Sequence, residues 1–254
     1  LNEKYDDGLK MQNKKLLLLS SSRVNTTQYL THALPMIKNH LADITELLFI
    51  PYAGVTISYD DYTAMVQESL NTLEIKVTGI HQCDNPMTAV KSAQAIAVGG
   101  GNTFHLLHQL YENNLVKVIT DAVEHGTPYI GWSAGSNVAG KSIRTTNDMP
   151  IIEPKSFDAL NLVNFQLNPH YTDFNPAGYN GETRAQRLAE FMVLNKNMPI
   201  VAIVEGTALK LSNEDGQQRL RLIGAEEGYI FLAGEKKTIT GESNLNYLLE
   251  EIFI

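Results

Sequence analysis

Three features of the chain predict an α/β fold, a mostly parallel, doubly wound sheet with helices on both faces. Short apolar runs alternate with helical patterns through the first two thirds of the sequence. The runs are apolar at consecutive positions rather than at every second one, the pattern of strands covered on both faces. Past residue 207 the pattern changes to short runs separated by Asn213-Glu214-Asp215-Gly216 and by a Gly-rich stretch at 224–228, which predicts a C-terminal antiparallel extension at one sheet edge.

Taken in order, residues 15–20 read as a first strand, 28–41 as a helix and 47–52 as a second strand. A helix over 59–73 follows, then strands over 74–80 and 95–98. Residues 103–125 are helical in pattern, with a break expected at Asn113-Asn114, and 128–132 is again a strand. A further strand over 165–168, a helix over 181–194 and a strand over 200–204 complete the wound part; 208–212, 220–223 and 229–232 supply the hairpins. Residues 1–14 read as a flexible polar tail, with Met11 available as an internal start, and 15–254 as a single domain.

The 254 residues carry 20 Lys plus Arg against 28 Asp plus Glu, a formal net charge of -8. That balance excludes a non-specific nucleic-acid binder, which needs basic surface. No apolar run approaches the ~20 residues of a membrane helix. The lone Cys83 excludes an internal disulfide framework and a Cys-based zinc site. His105 and His108 share a helix face without an evident third ligand, so no metal site is assigned.

In a doubly wound sheet the chemistry sits beyond the carboxyl ends of the strands. Gly131-Trp132-Ser133-Ala134-Gly135 lies there, between a strand and a helical stretch, and matches the nucleophile elbow G-x-S-x-G. A serine on so tight a turn needs small neighbours, and the N–H of Ala134, opening the next helix, is placed to donate to a developing oxyanion. Gly99-Gly100-Gly101 also ends a strand. It is no dinucleotide fingerprint, because Phe104 stands where the third Gly belongs, and no P-loop, because no G-K-[ST] follows. An oxyanion loop beside Ser133 and a permissive helix cap both fit it.

His170, at a strand end and after Pro169, is the best base candidate; His81 is the other histidine that follows a strand. For the acid that orients the base, Asp148 in the loop beyond the elbow comes first, Glu205 at the end of the 200–204 strand second, and Asp173 is too close to His170 in sequence. An α/β-hydrolase is disfavoured, because the final third of the chain contains no histidine.

These motifs, in order, resemble the peptidase E family, the α-aspartyl dipeptidases of the serine peptidase group that also contains cyanophycinase. The resemblance runs from Lys15 over nearly the whole chain. It includes Ile50-Pro51-Tyr52-Ala53-Gly54, Val98-Gly99-Gly100-Gly101-Asn102-Thr103, the elbow, Arg144-Thr145-Thr146-Asn147-Asp148, Asn168-Pro169-His170 and Gly181-Glu182-Thr183-Arg184. It implies a sheet similar to that of class I glutamine amidotransferases and a triad of Ser133, His170 and Asp148. It further implies oxyanion donors Gly101 and Ala134, Arg184 as the cation for the substrate aspartate, and Glu205 as an acidic position near the histidine. The expected activity is cytoplasmic hydrolysis of small Asp-Xaa peptides by a monomer or homodimer, with no cofactor, no metal, no nucleic acid and no membrane involved. A β-aspartyl-arginine peptidase like cyanophycinase and a non-catalytic anion-binding module stand as the rival readings.

Overall fold

The computed structural model describes residues 14–178 and 180–250. The wound part contains β1 (Leu16–Leu19), α1 (Leu34–Leu41), β2 (Glu46–Ile50), α2 (Tyr59–Leu70), β3 (Lys76–Gly79), α3 (Pro86–Ser92) and β4 (Ile96–Val98). It continues with α4 (Thr103–Glu112), α5 (Leu115–Glu124), β5 (Tyr129–Trp132) and α6 (Ala134–Asn137). Then come β6 (Gln166–Asn168), α7 (Arg184–Leu194), β7 (Ile200–Ile203), β8 (Ala208–Glu214), β9 (Gln217–Ile223), β10 (Gly228–Leu232) and β11 (Glu235–Ile239).

The main sheet runs β3-β2-β4-β5-β1-β8-β9, parallel from β3 to β1 and antiparallel at β8 and β9. Its strands are covered on both faces, as their consecutive apolar residues require. Leu16 and Leu18 of β1 point into one core with Leu106 and Leu110 of α4 and Ile119 of α5. Leu17 and Leu19 point into the opposite core with Ile37 of α1 and Val66 of α2. All four leucines are buried, and each contributes about 1.5–3 kcal/mol relative to exposure.

Beyond β5 the chain leaves that sheet. β6 and β7 are parallel neighbours in a second sheet, ordered β11-β10-β7-β6. Val201 and Ile203 of β7 face the main core, while Ile200 and Ala202 pack with Leu188 and Met192 of α7. The C-terminal extension is therefore split. β8 and β9 prolong the main sheet, whereas β10 and β11 prolong the second one rather than sharing an edge with them.

Local chemistry accounts for the remaining differences. The helix expected over 28–41 begins as a short 3-10 turn at Thr31–Ala33, with Leu30 in the left-handed region (φ 56°), and α1 starts only at Leu34. α3, absent from the pattern reading, is seven residues long and rests on an Asn85 cap and Pro86 in its first turn. The break at Asn113-Asn114 is present, with Asn114 at φ 54°. The expected tail lies outside the described residues apart from Lys14. Lys14 is tied down, donating from Nζ to Leu162 O (2.9 Å) and accepting from Gln218 Nε2 (2.9 Å).

His40 on α1 is buried, and burial, with Lys210 nearby, lowers its pKa from 6.5 to about 4. The unfolded chain takes up this proton near pH 6.5 and the folded chain only near 4. Stability is therefore lost as pH falls across that interval, by on the order of 3 kcal/mol. Replacing His40 by Leu should flatten the decline in denaturant-measured stability between about pH 6.5 and 4; an unchanged slope would count against this assignment.

Candidate active site

The elbow is built as the motif demands. Ser133 follows β5 at φ 54°, ψ −115°, a strained conformation for a residue with a side chain. Gly131 and Gly135 permit it, since a Cβ at Gly131 would lie 2.4 Å from Gly135 O and one at Gly135 only 2.0 Å from Val98 O. Ser136, the neighbouring hydroxyl, donates to Leu19 O (2.6 Å) and is buried, which leaves Ser133 as the serine of the turn that meets the histidine. The helix expected after the elbow is a single turn, Ala134–Asn137, so the N–H of Ala134 counts for more here than any macrodipole.

His170 Nε2 lies 2.9 Å from Ser133 Oγ, and His170 Nδ1 lies 2.8 Å from Glu205 Oε1. The acid that meets the histidine is thus Glu205 and not Asp148, the first choice from sequence. The reason is the second sheet. His170 follows β6, Glu205 follows β7, and these adjacent parallel strands bring both side chains to one sheet end. Asp148 lines the same small cavity as Ser133 and His170 but is engaged with α4, accepting from Thr103 N (2.7 Å) and from the Thr103 hydroxyl. Among the described residues no hydrogen bond joins it to His170.

The backbone of His170 is itself in the left-handed region (φ 54°) and is held there. Its N–H donates to Ser20 Oγ (2.9 Å), and the Ser20 hydroxyl donates to Ile203 O (2.8 Å). On the other side Asn147 Nδ2 donates to Pro169 O (2.9 Å), and Asn168 Nδ2 donates to Thr145 O (2.8 Å). Neither Ser20 nor this asparagine pair stood out in the sequence. Their one legible signal was position, since Ser20 ends a central strand.

Three cavities meet at His170, and the two smaller ones also border Ser133. A small polar one of 240 Å³ is lined by Thr103, Asn137, Asp148 and Arg184 as well as the pair. One of 490 Å³ is lined by Gly100, Gly101 and Ser133, with a largely apolar wall of Tyr29, Ile57, Tyr62, Met65 and Ile151. The largest, 980 Å³, lies beyond Glu205 and includes His32, Tyr171, Thr172, Arg184 and Glu226.

Arg184 opens α7, whose Thr183–Gln186 capping box sets the entry of the chain. Its Nη1 is buried and has no hydrogen-bond partner among the described residues. Burial and the neighbouring Arg187 pull its pKa below the ordinary arginine value, against the attraction of Glu205 and Asp148. Gly101, at φ 138°, and Ala134 sit on either side of Ser133, and no acceptor among the described residues takes either N–H outside the regular elements.

The remaining candidates are engaged elsewhere. Burial pushes Asp173 up, but hydrogen bonds from Lys236 and Tyr171 outweigh it and hold the carboxyl below its ordinary value. His81 pairs with Asp60 (2.9 Å) and lines none of the three cavities. His105 and His108 turn their Nδ1 atoms to different carbonyls, of Tyr52 (2.7 Å) and Glu153 (3.1 Å). Among the described residues no group of three or more His, Cys, Asp or Glu side chains is placed to hold a metal ion, and no helix is long and apolar enough to cross a membrane.

A serine on a strained elbow at a sheet end, hydrogen-bonded to a histidine that also meets a carboxylate, is the arrangement that serine hydrolases use. The family follows from similarity to known proteins. Residues 16–219 match the model of Peptidase family S51, and the chain belongs to that family. It is 54% identical over 235 residues to a Peptidase E of Shewanella baltica (strain OS155), covering 92% of this chain and 98% of that one. It is 56% identical over 223 residues to a Peptidase E of Shewanella baltica (strain OS195), covering 88% and 91%. The fold is also that of a crystallised peptidase from an acI-B1 Actinobacterium, with a TM-score of 0.67 at 19% identity over 93% of this chain and 99% of that one. The chain is therefore an enzyme, a peptidase, and the reading as a non-catalytic module is set aside.

Ser20→Ala should cost about 1–3 kcal/mol, because it strands the buried groups at His170 N and Ile203 O. It should also lower kcat about tenfold by loosening the histidine. Denaturant unfolding and steady-state kinetics check this; wild-type values in both would show that the hydroxyl does not hold His170.

Proposed function

We propose that the chain is a serine dipeptidase that hydrolyses Asp-Xaa through an acyl-enzyme on Ser133. One observation carries the reading. The Ser133–His170 pair opens onto a 240 Å³ polar cavity holding one half-buried guanidinium, Arg184, and one carboxylate, Asp148. An N-terminal aspartyl residue presents the complementary charges, a side-chain carboxylate and an α-ammonium. Arg184 takes the carboxylate as a fork of donors, a geometry that lysine does not offer. Asp148 takes the ammonium, since Glu205 is spent on His170 and Asp173 on Lys236. The relatives named Peptidase E agree with this reading.

The chemistry then follows from the contacts. Ser133 Oγ attacks the scissile carbonyl and passes its proton to His170 Nε2. His170 Nδ1–H donates to Glu205, which fixes the tautomer and stabilises the imidazolium. The oxyanion is received by the N–H groups of Gly101 and Ala134, each worth about 2.7–4 kcal/mol in comparable sites. His170 then protonates the departing amine, whose side chain lies toward the largely apolar 490 Å³ cavity. Water resolves the acyl-enzyme by the same steps in reverse order. We assign this activity to the cytoplasm, where the free thiol of Cys83 is at home, and to a monomer or homodimer.

Ser133→Ala and His170→Ala should each lower kcat by about 10⁴-fold or more, and the double variant no further, because the two act as a unit. Glu205→Gln should cost about 10³-fold in kcat. Asp148→Asn should act mainly through KM, by about 10–100-fold. The reverse pattern would return the orienting role to Asp148.

Arg184→Met should cost about 10–100-fold in kcat/KM on Asp-Leu, from the loss of charge-assisted hydrogen bonds. It should cost far less on any residual Asn-Leu cleavage; equal losses on both would move the clamp to another residue.

The test of the whole reading is a rate comparison of Asp-Leu, β-Asp-Leu, Glu-Leu and acetyl-Asp-Leu. Asp-Leu should be fastest, and the acetylated peptide, lacking the ammonium, slower by orders of magnitude. Efficient cleavage of acetyl-Asp-Leu would refute the dipeptidase reading, and preference for β-Asp-Leu would favour the cyanophycinase-like alternative.

A further inference from the structure

We propose that Tyr62 is a positioning residue for the oxyanion hole. Its hydroxyl, supplied by a one-way hydrogen-bond chain from Trp132 through Tyr29, clamps the Gly100–Gly101 peptide so that the Gly101 N–H faces the reacting carbonyl. The inference rests on the oxyanion role proposed for Gly101 above.

The chain of donors is continuous. Trp132 Nε1 donates to Tyr29 OH (2.8 Å), Tyr29 OH donates to Tyr62 OH (2.9 Å), and Tyr62 OH donates to Gly100 O (2.9 Å). Its direction is dictated by its ends. An indole N–H can only donate and a backbone carbonyl can only accept, so a chain joining the two runs from Trp132 toward Gly100. The rings that carry the chain are themselves locked. Phe49 stacks on Trp132 at 5.7 Å, the Tyr62 ring meets Phe49 edge-on at 5.0 Å, and Tyr62 is 4% exposed.

The peptide at the end of this chain needs such a clamp. Gly99-Gly100-Gly101 offers no side chain to resist rotation about φ and ψ, so the Gly100–Gly101 peptide is free to turn over unless something outside it holds one face. In a trans peptide the C=O and N–H point in opposite directions. Holding Gly100 O on Tyr62 therefore sends the Gly101 N–H to the other side, and Gly101 lines the cavity that Ser133 also lines. Two close approaches require glycine on either side of this peptide, so no side chain can take over the task of holding it. A Cβ at Gly99 would stand 2.6 Å from the Tyr62 hydroxyl, and one at Gly101 only 2.1 Å from Ala53 O. The same bond does a second thing. A hydrogen bond on the carbonyl draws density from the amide nitrogen and makes the N–H a stronger donor, and successive donors polarise one another.

The test is Tyr62→Phe, which keeps the ring and removes the hydroxyl. On Asp-Leu, kcat should fall about tenfold while KM stays within about twofold, because the oxyanion exists only in the transition state. Inhibition by free aspartate should be unchanged. The boronic acid analogue of aspartate, whose tetrahedral adduct on Ser133 places an oxygen in the oxyanion position, should bind about tenfold more weakly. The amide proton resonance of Gly101 should move upfield. Tyr29→Phe should show the same pattern at about threefold, since Trp132 Nε1 lies 3.3 Å from Tyr62 OH and replaces the missing link.

A folded Tyr62→Phe variant with wild-type kcat and an unmoved Gly101 resonance would overturn the inference. So would one that loses boronic acid and aspartate affinity equally, which would indicate a merely structural role. If Tyr62→Phe does not fold, Tyr29→Phe decides by the same kcat and resonance criteria. If the unsubstituted enzyme neither cleaves Asp-Leu nor binds the boronic acid, the oxyanion reading falls and this inference with it; failure confined to the variants strikes the Tyr62 clamp alone.

Discussion

The Ser20 hydroxyl joins two sheets, and the rest of the site depends on that junction. Ser133 is placed by the main sheet, at the end of β5, while His170 and Glu205 are placed by the second sheet, after β6 and β7. The 2.9 Å contact between Ser133 and His170 is therefore a contact between layers that do not share a strand ladder. Ser20 extends from β1, in the middle of the main sheet, and binds both the backbone of His170 and the carbonyl of Ile203 in β7. Ser20 N donates in turn to Thr207 O, at the crossover back to the main sheet. A buried strand with apolar contacts on both faces moves little, so what is fixed to its end inherits its rigidity.

The elbow and the glycine loop solve one steric problem together. The ends of β4 and β5 converge where Gly135 passes within van der Waals reach of Val98 O, and Gly100 lies against Ser133, where a Cβ would stand 2.9 Å from the Ser133 Cβ. Any side chain at these glycines would separate the strand ends and take the Gly101 N–H away from the serine. The strain at Ser133 persists because backbone on both sides leaves no other path, which is how positive φ at a residue with a side chain is usually sustained.

Much of this was legible in the sequence, and what was not has a common cause. Consecutive apolar residues at 16–19, 47–50 and 129–132 announced two-sided strands, and the letters G-x-S-x-G announced the elbow, because both are local patterns. Sheet membership is not local. Nothing in Ile200–Ile203 distinguishes a strand of the main sheet from one of the second sheet, since both are buried on two faces. That ambiguity is why Asp148, near the elbow along the chain, looked the better partner for His170 than Glu205, thirty-five positions further on. The split of the C-terminal hairpins between two sheets, and the role of Ser20, were hidden for the same reason.

The three acids around His170 show how one residue type is sorted by its neighbours. Glu205 has the imidazole as partner. Asp173 has Lys236, whose ammonium also lies 4.0 Å from the centroid of the Tyr229 ring, so its charge is already compensated. Among the described residues Asp148 has neutral donors alone, Thr103 and Thr146, in a cavity that also contains the Nη1 of Arg184, which has no partner there. Two opposite charges facing one small volume without closing on each other are costly unless solvent or a ligand completes them. A fully neutralised pair would be the more stable arrangement and would bind nothing. Under the proposed function, the carboxylate of Asp148 at the cap of α4 and the guanidinium of Arg184 at the start of α7 are held apart, and that separation leaves the cavity open to a molecule carrying both charges itself.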